Sequence, residues 1–150
     1  MAADAWVVYN LFKQTLGSGA VDMDADTFKV GLYQSTSNAA SAVATIDELA
    51  DITNEVANGS GYTTGGATLS GVTWTESSGT VTFDFTDPSW TASGGSIVAR
   101  FAVVYDDTAS SPADAPVGYS LLDNTPADVT TTTGNTLTLV INSSGMFTLA

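Results

Sequence analysis

Short runs of alternating apolar residues, cut repeatedly by turn signals, fill the chain from residue 58 to its end. Asn58-Gly59 and Gly65-Gly66 are two such signals. Val81, Phe83 and Phe85 alternate with Thr82 and Asp84, and Leu137, Leu139 and Ile141 alternate with Thr138 and Val140. Alternation at period two puts one set of side chains on one face of an extended strand. The expected strands are 67–76, 80–86, 96–106, 117–123, 136–142 and 146–149, preceded by 27–33, where Phe28, Val30 and Leu32 share the face of a half-buried strand. Short strands with regular punctuation predict a mainly-β fold, an antiparallel β-sandwich of jelly-roll type. Residues 130–133, all threonine, read as a β-favouring solvated segment.

Ahead of the strands, residues 5–16 predict one short N-terminal helix. Asp4 is the expected N-cap, and Gly17 and Gly19 are the expected stops. Val8, Leu11, Phe12 and Leu16 form an apolar face that caps one end of the core. Trp6, Tyr9 and Lys13 form a second, amphipathic face, whose aromatics suit contact with a partner protein. Residues 34–44 are small and polar and predict a mobile surface loop. Thr45-Ile46-Asp47-Glu48 matches a capping box, so a helical turn is expected over 46–51, followed by an extended piece at 53–56.

The 150 residues are expected to form a single domain. Such a chain buries roughly 70% of its unfolded surface, enough for a core without disulfides. The residue inventory then narrows the chemistry. Asp and Glu total 16, Lys and Arg total 3, and His and Cys are missing. No Ser-His-Asp or Cys-His arrangement can be built, and no ordinary structural zinc site. The cations Lys13, Lys29 and Arg100 are too scattered in sequence to hold phosphates. A net charge of −13 favours solubility and argues against nucleic acid or an anionic membrane as a partner. The start, Met1-Ala2-Ala3-Asp4, lacks the basic region of a secretory signal, and no apolar run approaches the ~20 residues of a membrane span. Synthesis in a cytoplasm is the expectation.

Asp22, Asp24 and Asp26 have the spacing that opens a calcium loop, but Thr27 and Tyr33 stand where that loop needs Gly and Glu. A turn of solvated carboxylates is the expectation, with no metal and no cofactor. Asp84 with Asp87, or Asp106 with Asp107, are carboxylate pairs of the type glycosidases use, and nothing in the sequence singles one out. Alternation across 97–105 sets Arg100 on an apolar face with Val98, Ala102 and Val104. A charge there needs a carboxylate, and Glu55 is the expected partner; an ion pair within the chain and one between subunits both satisfy it. Trp74 and Trp90 offer a sugar-binding platform or belong to the core. Asn58-Gly59-Ser60 and Asn142-Ser143-Ser144 match the glycosylation sequon by chance.

Several segments, in order, resemble a family of small virion structural proteins of tailed bacteriophages. They are Tyr9-Asn10-Leu11-Phe12-Lys13, Asp26-Thr27-Phe28-Lys29-Val30-Gly31-Leu32-Tyr33, Thr53-Asn54-Glu55-Val56 and Gly59-Ser60-Gly61-Tyr62-Thr63. Gly65-Gly66-Ala67-Thr68-Leu69, residues 87–90 and Ala99-Arg100-Phe101-Ala102-Val103-Val104-Tyr105 continue the set. The resemblance implies a β-sandwich virion protein, a cement or decoration protein that binds the outer capsid surface as a homo-oligomer (dimer or trimer). Its partners would be further copies of itself and the major capsid protein, and the family supplies no catalytic residues. A tail or fibre component and a carbohydrate-binding module are the alternatives. For the cement reading, helix 5–16 and loop 34–44 are the expected contact elements, the loop ordering on binding. Trp6, Tyr9, Lys13, Asn38 and Arg100 are the expected interface residues.

Overall fold

The computed structural model describes residues 3–125 and 127–150. Over these residues it is mainly β, with several antiparallel sheets and one short helix. The largest sheet joins β1 (Val7–Val8), β9 (Pro116–Leu121), β8 (Phe101–Asp106), β2 (Phe28–Tyr33) and β3 (Ala67–Thr68), in that spatial order. A second sheet joins β12 (Phe147–Leu149), β5 (Thr80–Asp84) and β4 (Thr73–Ser77). Two ribbons complete the set: β10 (Val129–Thr131) with β7 (Ile97–Ala99), and β11 (Thr136–Thr138) with β6 (Ser89–Thr91). The helix α1 spans Asn10–Ser18, and a 3-10 turn spans Leu49–Asp51.

An aromatic contact joins the two larger sheets. Phe28 and Phe83 are both fully buried, with ring centroids 5.1 Å apart at 62°. Phe83 also meets Trp74, Phe85 and Phe147. Edge-to-face pairs of this kind add about 0.5–1.5 kcal/mol to the area they bury. β2 and β8 pair over six residues, from Phe28↔Asp106 to Tyr33↔Phe101. Both are covered on two faces: every residue of β8 is buried, and in β2 Lys29 alone is not. The expected half-buried strand at 27–33 is therefore a central strand, because Gly31 and Tyr33 on its other face are covered as well.

The N-terminus departs from the expected helix 5–16. The Asp4 amide donates to Leu121 O at 2.9 Å, and Val7 pairs with Tyr119 on β9. Residues 4–8 thus extend the large sheet, and the helix begins only at Asn10. Tyr9, not Asp4, occupies the N-cap position, without a side-chain cap bond. Gly17 lies within the helix, and Gly19 ends it in the left-handed conformation at φ 75°. Trp6-Val7-Val8-Tyr9 is rich in β-branched and aromatic residues, and that β signal wins over the helical spacing.

Loop 34–44 is pinned. Asn38 Nδ2 donates to Asp51 O at 2.8 Å, while Asn38 Oδ1 accepts the Thr53 amide at 2.9 Å and its hydroxyl at 3.2 Å. Ala39 is fully buried, and its carbonyl accepts the Tyr9 hydroxyl at 3.0 Å. Small side chains let this loop fold inward instead of leaving it free. The helical turn expected over 46–51 is shorter, at Leu49–Asp51, with the Asp51 carboxylate accepting the amides of Asp47 and Glu48.

Two expected strands are broken. The run 67–76 splits into β3 and β4 around Gly71, at φ 61°. The run 96–106 splits at Arg100, whose amide donates to Tyr33 O at 2.7 Å. The break sends β7 to pair with β10, while β8 stays between β9 and β2. The 130–133 segment is partly β10, with Thr131 buried.

Candidate functional site

An open groove of about 740 Å³ lies between the N-terminal stretch and the segment that follows β11. Trp6, Leu122, Leu139, Val140 and Met146 are among its lining residues. β1 places Trp6 there, because pairing with β9 fixes the chain just beyond it. Val140 is 69% exposed, the highest among the exposed large hydrophobic residues described. Leu139 and Ile141 on either side are buried, so alternation turns Val140 outward. Among the described residues, Asp4 is the one titratable side chain of the lining, beside the polar Ser120, Thr138 and Asn142. The groove thus offers apolar contact with a few hydrogen-bonding groups at hand.

The expected interface residues separate into two sets. Trp6 lines this groove and is half-buried. Lys13 is exposed on α1, with its ammonium 3.4 Å from Asn10 Oδ1. Tyr9 is 0% exposed, so it belongs to the core and offers no surface to a partner. Burial also pushes its hydroxyl well above the usual tyrosine range. Asn38 uses its amide within the chain, as the clamp of loop 34–44. Arg100 pairs with Asp128, Nε to Oδ1 at 2.9 Å, which makes the ion pair internal to the chain. The expected partner Glu55 is engaged elsewhere: its Oε1 accepts the Tyr62 hydroxyl at 2.6 Å and the Gly65 amide at 2.7 Å.

The carboxylates mostly serve their own turns. Asp22 Oδ1 accepts the amides of Asp24 and Ala25, and Asp26 Oδ2 accepts the Asp22 amide at 2.7 Å. Among the described residues no three Asp or Glu side chains are gathered as a metal site. Asp84 bonds the Phe85 amide and Asp87 bonds the Ile141 amide. Asp107 pairs with Lys29 at 2.9 Å. Asp106 differs from the rest: it is fully buried, and burial pushes its carboxyl up to about 6. Trp90 is 6% exposed against Tyr62, and Trp74 lies in a different sheet on Phe83 and Phe147. The two tryptophans therefore make no joint sugar platform.

Sequence reasoning missed the groove, since its sides are far apart in the chain. Val140, an apolar residue on the outward-facing parity of a strand pattern, was the signal available. Among the described residues, no helix is long and apolar enough to cross a membrane. Comparison with protein families, with characterised proteins and with solved structures found no match.

Proposed function

We propose that this chain is a non-enzymatic structural protein of a tailed-bacteriophage virion. It acts as a cement or decoration protein, bound to the outer head surface as a homo-oligomer and clamping neighbouring major capsid protein subunits. The ordered resemblance along the chain supports the particle. The observation that carries the contact role is the open groove with Trp6 in its lining and Val140 turned outward. Burying such side chains contributes roughly 1.5–3 kcal/mol each. An oligomer that engages several coat subunits at once multiplies modest contacts by effective concentration. Binding only to the assembled shell stabilises that shell by mass action. The net charge of −13 keeps free copies soluble in the host cytoplasm and away from the genome.

The same reading takes the sheets as a sandwich of jelly-roll type. The Phe28–Phe83 contact between the five-stranded and three-stranded sheets supports it.

Electron imaging of virions with and without the protein tests the assignment. The expected result is added density on the outer head surface; density on the tail overturns the capsid reading. Val140→Asp is expected to weaken head binding at least tenfold while leaving the circular dichroism spectrum unchanged. Undiminished binding would remove the groove from the contact.

A further inference from the structure

At the end of β8, Asp106 is 0% exposed. Its Oδ1 accepts the amides of Thr108 at 2.7 Å and Ala109 at 3.2 Å. Oδ2 is buried and meets no hydrogen-bond donor among the described residues. A buried, ionised carboxylate with half of its acceptors unmet is costly, and such a group keeps a proton instead.

The backbone brings a second carboxyl to it. Phe28 stands opposite Asp106, the Asp107 amide donates to Thr27 O at 2.8 Å, and the Thr27 amide donates to Thr108 Oγ1 at 2.8 Å. This stitching brings Asp26, two residues before Phe28, to the same end of the ladder as Asp106, and the Asp26 carboxyl is among the groups that raise Asp106. From β2 and the turn before it, the other charged groups at this end are Asp22, Asp24 and Lys29. From β8 and the loop after it they are Asp107 and Asp114. Lys29 is taken by Asp107 at 2.9 Å and does not neutralise the pair.

We propose that Asp26 and Asp106 share one proton, and that this proton latches the 22–27 turn to the 106–109 turn. Asp106 Oδ2 carries the proton and donates it to the Asp26 carboxylate. The sign follows from burial, which holds the folded-state value above that of the unfolded chain. The stabilisation linked to the raised Asp106 value is fully present below the ordinary aspartate range and is lost as pH rises through about 6. Above that, two carboxylates face each other and the turns separate.

Thermal unfolding across pH tests this, with Asp106→Asn as the comparison. The carboxamide of that variant keeps the acceptor for Thr108 and Ala109 and supplies a permanent donor to Asp26. The wild-type midpoint is expected to fall by about 5 °C between about pH 5 and pH 8, and the variant is expected to lose that fall. In the wild-type protein, the Asp106 carboxyl carbon is expected to titrate by NMR near about pH 6, which requires no variant to fold. Titration in the ordinary aspartate range overturns the proposal, as does an Asp106→Asn profile parallel to wild type. Millimolar calcium that restores the wild-type midpoint at about pH 8, without affecting the variant, would make the pair a cation site and overturn proton sharing.

Discussion

The Tyr62 hydroxyl donates to Glu55 Oε1 at 2.6 Å while accepting the Leu32 amide at 3.0 Å. One phenol thereby joins the 53–65 segment to the middle of β2. The Gly65 amide shares the same carboxylate oxygen, and the Tyr105 hydroxyl donates to Gly65 O at 2.6 Å. Tyr62→Phe leaves a backbone amide and a carboxylate short of partners at once. It is expected to cost about 2–3 kcal/mol, read from urea unfolding at constant slope. Glu55→Gln keeps an acceptor in place and is expected to cost less than Glu55→Ala.

Asn38→Ala removes both a donor to Asp51 and an acceptor for Thr53. The expected loss is about 2 kcal/mol, with hydrogen-exchange protection of the Thr53 amide falling first. Asn38→Asp keeps the acceptor and loses the donor, so its cost is expected to fall in between.

Gly66 and Gly79 separate two effects of an added methyl group. Both have positive φ, 75° and 85°. A Cβ on Gly66 would collide with the Val30 carbonyl, while Gly79 has nothing within 4 Å. Gly79→Ala is expected to cost about 1–2 kcal/mol, from the left-handed conformation alone. Gly66→Ala is expected to cost at least ~2 kcal/mol more, because backbone is the obstacle and a central strand must shift. Equal midpoints for the two variants would contradict this.

Arg100→Met is expected to change stability by less than about 1 kcal/mol. The Arg100–Asp128 pair is partly solvated, with side chains 21% and 39% exposed, and such pairs contribute little. Added salt is expected to reduce the small difference between the proteins further. A loss above ~3 kcal/mol would instead mark the pair as effectively buried.

The strongest alternations were legible in the sequence. Val81 and Phe83 fall within β5, and Phe28, Val30 and Leu32 lie on β2 as spaced. The charge on the 96–106 run also signalled something, though not its outcome: Arg100 marks the point where one expected strand becomes two. What failed was non-local. β6 has three residues and acquires its extended form from β11, so local pattern carries almost no trace of it; β10 showed only as β-favouring threonines, whose pairing with β7 and burial at Thr131 the sequence did not signal. Loop 34–44 looked free because Asn and Ala give the same local signal whether solvated or folded inward; the Asn38 bonds to residues 51 and 53 decide it. The groove was hidden for the same reason, since residues 4–6 and 137–146 meet only in the folded chain.

The five-stranded sheet ends at both margins in strands of two residues, Val7–Val8 and Ala67–Thr68. A newcomer's strand finds almost no ladder of unpaired amides and carbonyls there to copy. Crowding many copies together therefore does not invite that sheet to zip into fibrils. Where copies of this chain associate along those margins, side-chain surfaces must recognise each other, and the contact can stay specific and reversible.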